Sequence, residues 1–201
     1  MLSNSSRLCA RRGFSLGEVV VTLAIMAALA AVTYPTLMHR LTEARAAALA
    51  QTLDGINQSI QSYRGNTGRF PRMLTQLSTL PPSGATDACA GTVPDVNLNQ
   101  WRGPYSSRAF LATGVKISDA TVRDTLRRDP ANISAGSYGT LYIDVVDVDS
   151  AVAARIEESF DGLPLVSPTS YSGGTVRWVR AAVPPAGPVG TLSFGIPVRG
   201  C

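Results

Sequence analysis

Charge is missing from Val19 to Met38, where twenty consecutive residues include no Asp, Glu, Lys or Arg. The chain is also short of reactive side chains, with one histidine, His39, and three cysteines, Cys9, Cys89 and Cys201, in 201 residues. It contains no Cys-x-x-Cys, His-Glu-x-x-His or phosphate-binding loop, the spacings that position metals, redox thiols and phosphates. No catalytic residue, cofactor or metal ligand is therefore assigned, and the protein is not expected to be an enzyme. His39 lies beside Arg40 at the end of the uncharged run, which suits an interfacial role better than general-base work.

What is present is a carboxylate where one is costly. The apolar segment Phe14 to Met38 has 25 residues, against about 20 needed to cross ~30 Å of hydrocarbon as a helix, and Glu18 lies four residues inside it. An unpaired acid at membrane depth costs roughly 2.5–3.5 kcal/mol on insertion scales, so it needs a partner or a function. Arg7, Arg11 and Arg12 precede the segment without an acid among them. By the positive-inside rule the amino terminus stays cytoplasmic and the rest is exported. A cleaved signal peptide with a site near Ala28-Leu29-Ala30, and a plain membrane anchor, are competing readings. Neither accounts for Glu18.

The run Gly13-Phe14-Ser15-Leu16-Gly17-Glu18, with its short basic leader and apolar helix, resembles the class III signal of type IV pilins and type II secretion pseudopilins. The resemblance implies a prepilin peptidase that cuts between Gly13 and Phe14 and methylates the new amine of Phe14. Residues 1–13 are then a leader, 14–38 a membrane and filament-core helix, 39–64 its amphipathic continuation and 65–201 a globular head. The physics is consistent with this, because cleavage exposes an amine that stays protonatable after methylation. A staggered neighbour can bring that amine to Glu18 in a low-dielectric setting, which makes Glu18 an assembly register. The implied partners are the peptidase, other pilin or pseudopilin subunits, an inner-membrane assembly platform and, before assembly, membrane lipid. A membrane-anchored exported protein with an enzymatic or binding head is the alternative.

Charge and cysteine usage fit export. The chain carries 18 Lys plus Arg against 14 acids; with the three leader arginines removed it is close to neutral, and no nucleic-acid partner is predicted. Cys9 departs with the leader. Cys89 and Cys201 are predicted to pair in an oxidising compartment, closing a loop worth about 4–5 kcal/mol in the chain-entropy model; free thiols or an intermolecular bridge are the other options.

After Pro35 the pattern becomes one-sided. Leu49, Leu53, Ile56, Ile60 and Tyr63 recur at spacings of three and four, which predicts an amphipathic helix continuing the first to about Arg64 and ended by Gly65 and Asn66-Thr67-Gly68. Pro35 is expected to kink or locally melt the helix. Further on, the sequence predicts short helices over Pro71–Leu80 and Ala120–Arg128, with a loop over Pro81–Asn99. It also predicts a strand over Thr140–Val148, a helix over Ser150–Phe160 capped by Asp149 or Ser150 and stopped by Gly162, and strands over Thr175–Val183 and Thr191–Val198. The fold class is α+β and pilin-like, with an antiparallel sheet against the amphipathic half of the long helix.

Trp101-Arg102-Gly103-Pro104-Tyr105 is similar to a Trp-x-Gly-Pro-Tyr segment of type II secretion pseudopilins, as Arg69-Phe70-Pro71 is to another, although large residues that merely cover the long helix would look the same. Leu141–Gly162 resembles a segment of minor pilin-like proteins and favours a minor subunit. Asp144, Asp147 and Asp149 have oxygens suited to calcium, but strand alternation sends Asp144 away from the other two. A solvated strand edge and a helix cap are the expected roles.

Overall fold

The structure is a computed structural model that describes residues 15–128, 138–162, 170–171, 174–180 and 189–199. The chain divides into two units, Met1–Leu41 and Thr42–Cys201. Helix α1 (Leu16–Thr67) contributes to both.

In the first unit every residue from 15 to 41 is exposed. Leucine, valine and alanine dominate, and a window of this helix reaches a mean hydropathy of 2.1, long and apolar enough to cross a membrane. Helical structure runs unbroken through Pro35, so the expected local melting is not found. Proline is tolerated in an otherwise regular apolar helix when the freed carbonyl is its only lost partner.

The second unit is an α+β domain. The α1 residues Ala46, Leu49, Leu53, Ile56, Ile60 and Tyr63 form its buried stripe, the period expected of one helical face. The helix passes through Gly65 and stops at Thr67, three residues beyond the predicted end. Gly68, at φ 69°, is the residue that leaves the helix, because the left-handed region costs glycine little.

Short helices α2 (Thr75–Ser78) and α3 (Asp95–Leu98) follow; α2 is much shorter than predicted and α3 interrupts the predicted loop. Then come β1 (Val115–Ile117), β2 (Ala120–Arg128), β3 (Tyr138–Asp149), α4 (Ser150–Asp161), β4 (Ser170–Tyr171), β5 (Val176–Arg180) and β6 (Val189–Arg199). They form one antiparallel six-stranded sheet in the order β1-β2-β3-β6-β5-β4. Its inner face, with Val122, Leu126, Ile143, Val145, Leu192, Phe194, Val176 and Trp178, shares one core with the α1 stripe and with Ala153 and Ile156 of α4.

The predicted helix over Ala120–Arg128 is overturned, since the segment is strand β2. Its alternation is real, with Ala120, Val122, Asp124 and Leu126 inward, but an inward carboxylate disguises a period-two pattern. Asp124 is tolerated there because its oxygens accept from the Thr75 backbone N–H at 2.8 Å and the Thr75 hydroxyl at 3.3 Å. Helix α4 matches its prediction: Asp149 accepts from the Ala151 N–H at 2.8 Å and Gly162 closes the helix at φ 69°. Strand β5 is described from Val176 to Arg180, and residues 181–183 of that prediction lie outside the described residues.

Candidate functional site

Gly13 and Phe14, the predicted processing and methylation positions, lie outside the described residues. Glu18 occupies the first turn of α1. Its backbone N–H donates to the Ser15 hydroxyl at 3.2 Å and to the Ser15 carbonyl at 3.1 Å, so Ser15 caps the helix. A carboxylate in the first turn also complements the positive end of the helix dipole. Sequence therefore folds this end so that Glu18 is exposed on a helical scaffold rather than on a loose tail.

The rest of the exposed helix is prepared for an apolar medium. Two of its hydroxyls turn back onto the helix: Thr22 donates to the Val19 carbonyl at 2.9 Å, and Thr33 to the Leu29 carbonyl at 3.1 Å. A polar side chain that satisfies itself this way costs little when water is removed. Leu16, Val32, Met26, Leu29 and Tyr34 are all more than 60% exposed, a surface that water solvates poorly and lipid or a neighbouring helix covers well.

On the second unit the predicted Trp101–Tyr105 segment is a clasp on α1. Tyr105 meets Tyr63 edge-on with ring centres 5.6 Å apart, and Trp101 meets Tyr105 at 5.7 Å. The Ser59 hydroxyl donates to the Tyr105 carbonyl at 3.0 Å, and the Tyr105 hydroxyl accepts from Asn66 Nδ2 at 3.0 Å. The Tyr105 N–H donates to the Leu77 carbonyl at 2.7 Å, tying the segment to α2 as well. These aromatics cover the helix, as a packing role predicts.

Cys89 is disulfide-bonded, while Cys201 lies outside the described residues. Sequence reasoning missed what holds Cys89 in place. Asp87 is fully buried, and its carboxylate accepts from the N–H groups of Cys89 at 2.9 Å and Gly91 at 2.7 Å and from Arg69 at 3.1 Å. Asp161 was missed too: one oxygen accepts from Thr175 N and the other from Val176 N, each at 2.9 Å, locking the end of α4 to the start of β5. The only signal in the sequence was an aspartate flanked by small residues or glycine, which is equally a turn signature.

The calcium reading finds its oxygens otherwise engaged. Asp144 binds Arg127 at 3.1 Å and accepts from the Ser193 hydroxyl at 2.6 Å, while Asp149 caps α4. A bulge between Val145 and Val148, with Asp147 at φ 63°, breaks the alternation assumed from sequence. Among the described residues no group of three or more His, Cys, Asp or Glu side chains is placed to hold a metal.

No protein-family model, curated protein or solved structure matches the chain.

Proposed function

We propose that this protein is a structural subunit, of the minor kind, of a type IV pilus or type II secretion pseudopilus. In this reading a prepilin peptidase cuts after Gly13 on the cytoplasmic side, and the mature chain waits in the inner membrane with its head exported. Assembly then draws the apolar helices of several subunits together, with Glu18 of one offsetting the methylated Phe14 amine of its neighbour. The observation that carries the reading is the coincidence of two features: a Gly-Phe-x-x-x-Glu junction and, directly after it, a capped helix whose apolar residues are all exposed from 15 to 41. The α+β second unit, folded around the continuation of the same helix, supports it.

The reading has a direct test in the native host. Mass spectrometry of the mature protein is expected to give a terminus at methylated Phe14; an intact leader or a terminus near Ala31 overturns it. Glu18→Ala is expected to be processed and inserted normally yet to be lost from sheared filament fractions, because the neighbour's amine then has no counter-charge. Wild-type incorporation of that variant removes the assembly role assigned to Glu18.

A further inference from the structure

The modest net charge of +4 conceals a local concentration of one sign. On β2 the outward alternation Arg123, Thr125, Arg127 leaves two arginines on one face, and Arg128 follows. Beside them runs Arg72, brought alongside by the Leu126 N–H to Arg72 carbonyl bond at 2.9 Å and the Met73–Thr125 bridge. Arg72, Arg123, Arg127 and Arg128 are among the residues that line a concavity of about 450 Å³, with Asp144 the one acid in its wall.

The single acid does not neutralise the site. Asp144 is spanned by Arg127 Nε and Nη2 at 3.1 and 3.2 Å and receives the Ser193 hydroxyl. Arg127 also lies 5.0 Å from the centre of the Tyr142 ring. It is held by those contacts, and its charge is spent on Asp144. Arg128 gives one N–H to the Cys89 carbonyl at 3.2 Å, which fixes it without touching its charge. Among the described residues, the Arg72 and Arg123 side chains, both exposed, have neither an ion pair nor a hydrogen bond. Arg72, Arg123 and Arg128 thus bring three positive charges without an ion pair to the border of one recess.

We propose that this recess docks an acidic polypeptide segment of a partner protein, with carboxylate side chains on the arginine forks. Guanidinium groups bind carboxylates in a bidentate fork, and arginine clusters are a recurrent reader of acidic motifs. Two other anions fit less well. Single-stranded nucleic acid draws on aromatic platforms, and no aromatic ring lines this concavity among the described residues. A compact dianion such as phosphate engages one or two of these forks, whereas carboxylates spaced along a peptide reach Arg72, Arg123 and Arg128 separately. The docking is independent of amino-terminal processing.

The test uses the full chain in non-ionic detergent and a fluorescently labelled Glu-rich peptide, read by anisotropy, with duplex DNA and inorganic phosphate as separate arms. Saturable peptide binding that weakens with added salt is expected. The double variant R72A/R123A should lower affinity about tenfold or more at an unchanged melting temperature. Arg155→Ala, which removes the exposed Arg155–Glu158 pair on α4, should bind like wild type. Absence of peptide binding, an R72A/R123A variant that binds normally, or preferential binding of DNA or phosphate overturns the proposal.

Discussion

Three acidic side chains of the second unit are buried among the described residues, Asp87, Asp124 and Glu157, and Asp161 is half-buried. Asp87, Asp124 and Asp161 each accept from backbone N–H groups that the surrounding loops leave open, so each carboxylate substitutes for a missing strand or helix partner. Glu157 on α4 is different. It is 7% exposed and its Oε2 has no hydrogen-bond partner. Burial, and then the nearby Asp161 carboxylate, push its pKa above the ordinary 4.5. The folded state therefore holds this proton more tightly than the unfolded chain does. The stability it confers is complete below the unfolded value and is lost as pH rises through the raised native one. Glu157→Gln, which removes the ionisation, should raise the melting temperature at pH 7 by about 2 °C or more and converge on wild type at about pH 4. Thermal melts of the two proteins at both pH values check this; a variant destabilised at neutral pH means that the ionised carboxylate has a partner worth keeping.

At the scale of elements, the sequence was readable wherever one pattern met one environment. The α1 stripe, β3, and α4 with its Asp149 cap and Gly162 stop follow from periodicity and capping alone. It was unreadable where a polar residue faced the core. Asp124 hid β2, because the argument from alternation presumes that inward means apolar, and the reason for the exception lies 49 residues away in the chain, in the hydrogen bonds from Thr75. The clasp is an intermediate case: Trp101 and Tyr105 announced themselves as large side chains, but not that Gly103 is the residue that lets them close. A β-carbon at Gly103 would fall inside the Trp101 ring against Cζ2 and Cε2. Gly103→Ala must therefore displace the indole from Tyr105, an overpacking expected to cost about 1–3 kcal/mol. The expected result is a lowered denaturant midpoint together with a changed tryptophan fluorescence maximum. A variant unchanged in both would mean that the ring has room the geometry denies it.

For the whole molecule, the division at Leu41 and Thr42 separates two ways of stabilising the same helix. From 15 to 41 no side chain is buried, so in water this stretch has only propensity and its own hydrogen bonds to rely on, and its apolar surface favours lipid or other helices. From Ala46 to Thr67 the helix contributes eight buried residues to the second unit, Leu53, Ile60 and Tyr63 among those with no exposed surface. Burying a leucine or isoleucine side chain contributes about 1.5–3 kcal/mol, enough for this half to hold its helix without the preceding turns. A chain beginning at Thr42 keeps all of that core and sheds all of the exposed apolar run. It should behave as a monomer in plain buffer, with a cooperative melt close to that of the full chain in detergent, whereas the full chain without detergent should sediment as aggregates. Sedimentation velocity and circular dichroism distinguish the outcomes. If the shortened chain aggregates or melts without a transition, the first unit supports the second, and the proposed transfer of the exposed helix from bilayer to assembly cannot leave the head folded.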